Sequence, residues 1–390
     1  MADSLDVDFG RDPLPDLHAV LAELRGRHRI ARVRYDGGDA WLILRHVDLA
    51  AALRNDPTFP AEAAYRRFAE PAQGRTMQCM APQEHRRQRA LVAPWFSPSA
   101  IAELVPTLLE PLARELIERF ASSGEADLVR DLTRPFPFAV IRSLLGLPEG
   151  DEAVLQGWAH GLLSHRIDPE GARAARAGFT RYLAPVLAQR RRAPEDDWLS
   201  RLASAEVDGT PLADEEIFSF VRLLFPAGAD TTYLALGNLL MNVIAHPALH
   251  DSLRHDAGAR QRAVEEGLRF EPAVALQPRV ASSRGARIAE LEIPPDAWVL
   301  FGLASANRDP AVFDDPELFD IDRTERASLA FGAGTHHCLG SHLARAEMEV
   351  VLRAVFERLA NLRLAAGAEP TARGAIFRGP RSLRIRFEAR

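Results

Sequence analysis

FGAGTHHCLG, residues 331–340, places one cysteine, Cys338, between a glycine-rich turn and a helix start. From Ser341 onwards, apolar residues recur at helical spacing, which predicts an amphipathic helix. Cys338 therefore precedes a helix N-terminus, where unpaired N–H groups and the positive end of the dipole favour a thiolate. The glycines at 332, 334 and 340 allow a tight turn close to a flat ligand. This pattern indicates a metal-binding sulfur.

Two other interpretations of this stretch have to be weighed. A lone cysteine is more often a small buried hydrophobic residue than a ligand. His336, His337, Cys338 and His342 also have the ligand types of a zinc site. The zinc interpretation is weaker, because the spacing is not that of paired zinc ligands and no second cluster completes the site.

At every fixed position the ten residues resemble the haem-binding signature of the cytochrome P450 superfamily, the haem-thiolate monooxygenases. The resemblance implies that the cofactor is haem b (iron protoporphyrin IX) and that Cys338 is its axial iron ligand. It also implies that His336 binds a haem propionate and that Phe331, Gly332 and Gly340 belong to the cofactor loop. No C-x-x-C-H motif is present, so covalent haem attachment is not expected.

Length and composition are those of an ordinary globular protein. The chain has 390 residues, 47% of them hydrophobic and 26% charged, with a net charge of -6. This balance gives no reason to expect nucleic-acid binding. The acidic start of the chain lacks signal-peptide features and no apolar run could span a bilayer, so we expect a cytoplasmic protein without a membrane anchor. We also expect residues 1–390 to form a single haem-thiolate monooxygenase domain.

The segment from Ile217 to Pro247 is apolar nearly all round, which predicts a buried central helix. Within it, Thr231 lies four residues after Ala227, so its hydroxyl can bond the Ala227 carbonyl and open the helix there. Asp230 is costly in this apolar setting unless it has a partner or a role. AGADTT resembles the oxygen-binding motif of the same family, which implies that Asp230 and Thr231 are the acid and alcohol of a proton relay.

Basic residues elsewhere match the family's propionate ligands. His85 and Arg89 lie four residues apart, which places them on one helix face. On their own they would indicate a solvated basic helix, but they resemble the family's propionate-binding helix. Arg279 resembles a further propionate ligand, although a surface arginine would look the same. Glu266, Arg269 and Arg323 resemble a buried ion-pair network that serves folding and haem retention.

Local patterns add four expectations. Residues 31–45 predict a β-hairpin around Asp36-Gly37-Gly38-Asp39, and Val47–Leu53 predicts a short helix. Residues 56–80 predict a long loop with one helical turn at most. Residues 375–387 predict a final β-hairpin.

Together the segments imply a mainly α fold with small β-sheets, the cytochrome P450 fold, with haem buried between the central helix and the Cys338 loop. The implied function is activation of O₂ to hydroxylate or epoxidise a hydrophobic small molecule. Electrons would come from a separate ferredoxin or flavodoxin-type donor with its reductase, and Arg86, Arg87 and Arg345 are candidates for its docking face. Family position predicts that the substrate pocket is lined by Leu223, Val274, Ala275, Gln277, Ile376 and Phe377.

Two alternatives within haem proteins stay open at this point. A peroxide-driven peroxygenase would use hydrogen peroxide directly, but those enzymes are similar to one another in lacking the acid-alcohol pair present here. A non-catalytic haem-binding sensor would show no steady turnover of O₂.

Overall fold

The structure is a computed structural model, and it describes residues 7–390 except for residues 12 and 15. Most of the described chain is helical. The α-helices are α1 (Leu17–Arg27), α2 (His46–Leu53), α3 (Ala61–Phe68), α4 (Glu70–Gln73), α5 (Pro82–Val92), α6 (Pro98–Leu104), α7 (Glu110–Glu118), α8 (Pro135–Leu144), α9 (Glu152–Leu163), α10 (Pro169–Arg192), α11 (Trp198–Ala203), α12 (Asp214–Ala245), α13 (His250–His255), α14 (Ala257–Phe270), α15 (Leu303–Ala306) and α16 (Ser341–Arg358).

The strands are short. They are β1 (Ile30–Tyr35), β2 (Gly38–Ile43), β3 (Glu125–Asp127), β4 (Glu206–Val207), β5 (Thr210–Pro211), β6 (Gln277–Val280), β7 (Ala286–Ile288), β8 (Leu291–Ile293), β9 (Trp298–Phe301), β10 (Leu359–Leu364), β11 (Ala372–Arg373), β12 (Gly379–Pro380) and β13 (Arg384–Ala389). The largest sheet has four strands in the order β1-β2-β9-β6, and a second has three in the order β10-β13-β3. The fold class is therefore mainly α with small sheets, as predicted.

The chain divides into two compact units. The first unit contains Met1–Pro60, Ala113–Thr133 and Thr232–Arg390, and the second contains Ala61–Leu112 and Arg134–Thr231. The division falls inside α12, between Thr231 and Thr232. The expectation of one functional domain over residues 1–390 stays a prediction.

In the first unit, α1 packs on the four-stranded sheet. Leu17, Leu21 and Leu24 recur at helical spacing and join one buried cluster with sheet residues that include Leu42 and Leu300. The predicted hairpin is confirmed, since β1 and β2 pair antiparallel with Tyr35 opposite Gly38. Its turn has positive φ angles at both central residues, 56° at Asp36 and 80° at Gly37, the conformation that favours Asp-Gly. The helix predicted at Val47–Leu53 is confirmed as α2.

The second unit is centred on aromatic packing between helices. The rings of Phe138 on α8 and Phe179 on α10 contact Phe225 of α12 edge-to-face, with centroids 5.8 and 5.5 Å away. Such edge-to-face pairs add to the free energy gained from burial alone. They fix the half of α12 that carries Asp230 and Thr231.

The loop prediction for residues 56–80 is wrong. This segment forms α3, α4 and a short 3₁₀ turn at Met77–Cys79. Two of its three prolines lie at helix starts. Pro60 directly precedes α3, and Pro71 falls in the first turn of α4, where proline needs no N–H partner. Gly74, with φ 83°, ends α4. Pro60 and Pro71 therefore begin helices in a segment whose composition predicts a loop.

The prediction of a β-hairpin within residues 375–387 is also wrong. The hairpin at the end of the chain pairs β11 with β12, while β13 pairs with β10 and β3. The physical reason is Asp127, whose carboxylate accepts hydrogen bonds from the Ser382 hydroxyl at 2.7 Å and the Leu383 N–H at 2.9 Å. These bonds direct the last strand towards β3.

In the described part of the chain, no helix combines the length and apolar character that crossing a membrane would need.

Candidate functional site

The Cys338 loop forms a compact turn in the first unit. The Cys338 N–H donates to the Phe331 carbonyl at 2.9 Å, and the His337 N–H donates to the Gly334 carbonyl at 3.1 Å. Gly332 and Gly334 have φ angles of 68° and 73°, which a residue with a Cβ rarely adopts. A Cβ at Gly334 would also lie 2.9 Å from the Leu53 carbonyl oxygen.

The third glycine of the loop behaves differently. Gly340 has φ −82°, an ordinary value, so its backbone conformation does not itself require glycine. The predicted helix is confirmed, because α16 begins at Ser341. Cys338 is exposed and lies three residues before the helix, near unpaired N–H groups that favour negative charge. The loop thus presents a sulfur where an anionic ligand atom is stabilised.

The aromatic ring of Phe331 is covered from one side by a cation. The Arg345 guanidinium lies 4.5 Å from the ring centroid, a favourable cation–π distance. Glu265 holds Arg345 in place with hydrogen bonds of 2.5 Å from Nε and 3.3 Å from Nη2. The charge of Arg345 is therefore already compensated within the first unit.

Two predicted propionate ligands belong to the first unit. The His336 Nε2 atom lies 3.1 Å from Oδ1 of Asp56, and both side chains are mostly buried. Arg279 is buried, donates to the Pro278 carbonyl at 3.0 Å and lies over the Phe301 ring at 5.6 Å. The sequence analysis missed Asp56, because its contact with His336 joins positions 280 residues apart.

The acid and alcohol of the central helix belong to the second unit. The Thr231 hydroxyl donates to the Ala227 carbonyl at 2.8 Å, as predicted. Asp230 is buried, and no donor in the described chain bonds its Oδ2 atom. Burial raises the pKa of Asp230 from 3.8 to about 7, against a lowering influence from Arg134. This carboxyl can therefore both hold and release a proton near neutral pH.

Between Glu216 and Ile244 of α12, Ala227 is the one exposed residue. The helix runs without interruption through Pro226 and Gly228, and its neighbours Phe225 and Ala229 are buried. Ala227, in contrast, is exposed, and Thr231 is half-buried. An exposed alanine in the middle of a buried helix indicates a cavity wall.

The remaining predicted ligands and pocket residues are distributed over both units. In the second unit, His85 and Arg89 lie on α5 as predicted, with His85 buried, and Leu223 is buried in α12. In the first unit the structure brings four predicted pocket residues together, since Val274 bridges Phe377 and the Ala275 N–H donates to the Ile376 carbonyl at 3.0 Å. Gln277 follows at the start of β6.

The predicted ion-pair network is present in the first unit. Arg269 donates to both oxygens of Glu266, at 2.7 and 2.8 Å, and Arg323 lies 3.5 Å from the same carboxylate. All three side chains are buried. The backbone N–H of Asp320 adds a further bond to Glu266 at 2.9 Å. The network ties α14 to the segment that precedes the Cys338 loop.

Comparison with known proteins identifies the family. The family description "Cytochrome P450" matches residues 168–365. The chain is 35% identical over 398 residues to the cyclomarin C epoxidase CymV of Salinispora arenicola, covering 99% of this chain and 98% of that protein. The chain belongs to the cytochrome P450 family. It is a cytochrome P450 monooxygenase, and the predictions of fold, family and enzyme class are confirmed.

Other similar P450 proteins support the same assignment. The erythromycin C-12 hydroxylase of Saccharopolyspora erythraea is 35% identical over 353 residues, with 88% of this chain and 87% of that protein covered. The structure of cytochrome P450 CYP109Q5 from Chondromyces apiculatus matches with a TM-score of 0.88 at 29% identity, covering 97% of this chain and 96% of that one. A mutant of P450 EryK in complex with erythromycin B matches with a TM-score of 0.87 at 32% identity, covering 97% and 98%.

P450 membership implies haem, and the residues present fit that group. One exposed thiol follows a turn whose glycines permit close approach, and buried basic side chains on α5 and β6 suit carboxylates such as propionates. The zinc interpretation gains no support, because the described residues include no group of three or more His, Cys, Asp or Glu side chains arranged to hold a metal ion.

Proposed function

We propose that this P450 binds haem b (iron protoporphyrin IX) through Cys338 and uses it to oxidise a hydrophobic small molecule. The observation that carries the proposal is the exposed Cys338 sulfur, held by the bond from its N–H to Phe331 directly before α16. A thiolate there would ligate iron, while Phe331, Gly332 and Gly340 shape the loop around it. The whole chain would act as one haem-thiolate domain.

The basic residues would hold the haem carboxylates. His85 and Arg89 on α5, Arg279 on β6 and His336 in the Cys338 loop can each donate a charge-assisted hydrogen bond to a propionate. Asp56 would orient the His336 ring, because its Oδ1 atom lies 3.1 Å from Nε2. Burial of Arg279 and His85 strengthens such bonds, since little water competes for them.

When bound, thiolate-ligated haem supplies the activation of O₂ for oxygen insertion. The protein's own contribution would be delivery of protons. Asp230 takes up a proton in its buried site and passes it towards the Thr231 hydroxyl, which is already oriented by its bond to the Ala227 carbonyl. A carboxyl with a pKa of about 7 is matched to this task near neutral pH. A positioned relay of this kind contributes about 10²–10⁴ in rate.

The substrate is proposed to be a hydrophobic small molecule, and the reaction a hydroxylation or epoxidation. Two similar proteins are named an epoxidase and a hydroxylase, which supports this reaction class. The predicted lining is mostly apolar, which suits a ligand with few polar groups. Its members are Leu223, Val274, Ala275, Gln277, Ile376 and Phe377.

Electrons would come from a ferredoxin or flavodoxin-type donor with its reductase. The candidate docking residues differ in whether an acidic side chain already pairs with their charge. Arg86 is exposed, whereas Arg87 is paired with Asp208 at 2.6 Å and Arg345 is paired with Glu265. We therefore favour Arg86 as the cation that a negatively charged donor contacts first. A cytoplasmic location suits this chemistry, since its reducing conditions keep thiols such as Cys79 reduced.

A carbon monoxide spectrum tests the proposal. The reduced protein should bind carbon monoxide and give the red-shifted Soret band of a sulfur-ligated haem. Cys338→Ala should abolish that band. Cys79→Ala is the matched control, because Cys79 is the other cysteine and is buried in the second unit; it should leave the band in place. A band that survives Cys338→Ala would overturn the proposed ligand.

A further inference from the structure

The turn between β11 and β12 carries Ile376 and Phe377 and is tied to the segment that precedes β6. The Arg378 N–H donates to the Ala273 carbonyl at 2.8 Å, and Val274 bridges Phe377 in antiparallel fashion. Phe377 is 39% exposed, unusually high for a large apolar side chain in this protein. The pairing of these two backbone segments therefore holds the exposed Phe377 ring in a defined position.

A buried ion cluster lies behind this turn. The Arg378 Nε atom donates to Oε1 of Glu271 at 2.8 Å, and its Nη1 atom donates to the carbonyls of Leu14 at 2.7 Å and Gly374 at 3.2 Å. His18 on α1 contacts the same Glu271 oxygen at 2.8 Å. Glu271 and Arg378 are only 6% and 2% exposed. The Arg378 guanidinium therefore joins the turn to Leu14, which precedes α1, and to Glu271 at the end of α14, while His18 adds α1 to the cluster.

A buried side-chain amide on α12, that of Asn238, bonds to the backbone of the same ion cluster. Asn238 is fully buried, and its Nδ2 group donates to the Glu271 carbonyl at 2.9 Å and to the Arg378 carbonyl at 3.0 Å. Gly374 lets the turn fold tightly, because it has φ 99° and a Cβ there would lie 2.1 Å from the Phe377 carbonyl oxygen. The position of Phe377 is thus determined from both ends of the turn.

Burying this ion cluster costs desolvation free energy that burying apolar side chains would not cost. Taking charged groups out of water is expensive, and apolar residues of similar volume often stabilise a core as well or better. Burial raises the pKa of Glu271, but His18, Arg378 and Arg308 outweigh it and lower the pKa to about 2. Glu271 therefore stays charged at physiological pH, and the cluster fixes one geometry rather than maximising stability.

We propose that Glu271, Arg378 and Asn238 are positioning residues for substrate selectivity, which they exert by fixing the turn that presents Ile376 and Phe377 beside Val274. The inference rests on the proposed function, in which these three apolar residues face the substrate. The three side chains of the cluster are proposed to contact neither substrate nor haem. It determines how much room the substrate has, not the rate of oxygen chemistry.

Binding of two azoles tests the inference in the holoenzyme. Imidazole ligates haem iron and is small, whereas 4-phenylimidazole ligates it and also fills part of the pocket. In Arg378→Lys the flat guanidinium fork is lost while the charge remains. Asn238→Leu has similar volume but lacks both hydrogen bonds. We expect each variant to change the ratio of the two dissociation constants by about tenfold, since room for one methylene in a hydrophobic pocket is worth about tenfold or more.

A second readout and a matched control make the result specific. Hydrogen exchange of residues 374–378 should become faster in both variants. Asp127→Asn is the control, because Asp127 anchors Ser382 and Leu383 of the same C-terminal segment without contacting the turn. It should lower stability and leave the affinity ratio unchanged. If Arg378→Lys does not fold, Asn238→Leu alone decides.

The outcomes separate this inference from the proposed function. An unchanged ratio in a variant that binds imidazole normally and exchanges faster at the turn would overturn the inference alone. The same holds for a ratio that moves equally in the Asp127→Asn control. Absence of any imidazole-induced spectral change in the wild-type protein would overturn the haem site, and this inference with it.

Discussion

The helices α14 and α12 each carry a buried carboxyl group, but the two groups differ in their hydrogen-bond partners. Glu266 on α14 receives bonds from Arg269 and the Asp320 N–H and lies beside Arg323. Asp230 on α12 has no donor for its Oδ2 atom within the described chain, and burial raises its pKa to about 7. A fully partnered carboxylate indicates a structural role, whereas a buried acid with an unbonded oxygen is costly and becomes a candidate for proton transfer where it also adjoins an open surface.

The largest expected effect is on stability, at Glu266. Glu266→Gln leaves the buried Arg269 and Arg323 without a carboxylate, so we expect a loss of about 3–5 kcal/mol in the free energy of unfolding. Urea denaturation and the fraction of bound haem measure it. Glu170→Gln is the control, because Glu170 pairs with Arg173 at the same i,i+3 spacing but at 4.0 Å on an exposed surface; it should have no measurable effect. Equal losses in both variants would contradict the contrast.

The next effect is on rate, at Asp230. Asp230→Asn keeps the shape of the side chain but cannot carry a proton, so we expect turnover to fall by about 10²-fold and the solvent isotope effect to grow. Oxygen uptake with a surrogate ferredoxin and reductase would measure both, using the compound that gives the largest spin-state shift. Haem content should be unchanged. A variant with normal turnover would show that Asp230 is only a buried acid.

A more gradual effect, spread over several pH units, concerns the pH dependence of stability. Because the folded protein holds the Asp230 proton more tightly than the unfolded chain, stability should fall as pH rises from about 3.8 to about 7. The slope from this group is about 1.4 kcal/mol per pH unit at most. Asp230→Asn should remove that contribution and be more stable than wild type at pH 8. Parallel stability profiles for the two proteins would contradict it.

The same contrast explains what the sequence could predict. Spacing placed His85 with Arg89 on one helix and Thr231 over Ala227, because in each pair the positions lie four residues apart. Contacts between distant positions were beyond pattern reasoning, as for Asp56 with His336 and for Glu271 with Arg378. The network of Glu266, Arg269 and Arg323 was identified through family resemblance, not through periodicity.

Local errors have the same origin. Residues 56–80 were predicted as a loop because they show little periodicity and contain several Pro and Gly residues, yet the structure uses Pro60 and Pro71 at helix starts. The final strand was assigned to the wrong partner because Asp127, far away in sequence, directs it. In both regions, tertiary contacts outweigh local preference.

Glu347 on α16 provides the sharpest test of the comparison, because it too is buried and its Oε2 atom lacks a donor in the described chain. Burial raises its pKa well above 4.5, so stability should fall as pH rises above that value, and Glu347→Gln should remove the fall. We expect no change in turnover, because α16 carries neither Asp230 nor Thr231, the proposed proton relay. Asp230, in contrast, adjoins the partly open surface at Ala227 and Thr231.

Stability profiles from pH 4 to 8 and oxygen uptake measure the two properties separately. A loss of turnover in Glu347→Gln would mean that a second buried acid takes part in catalysis.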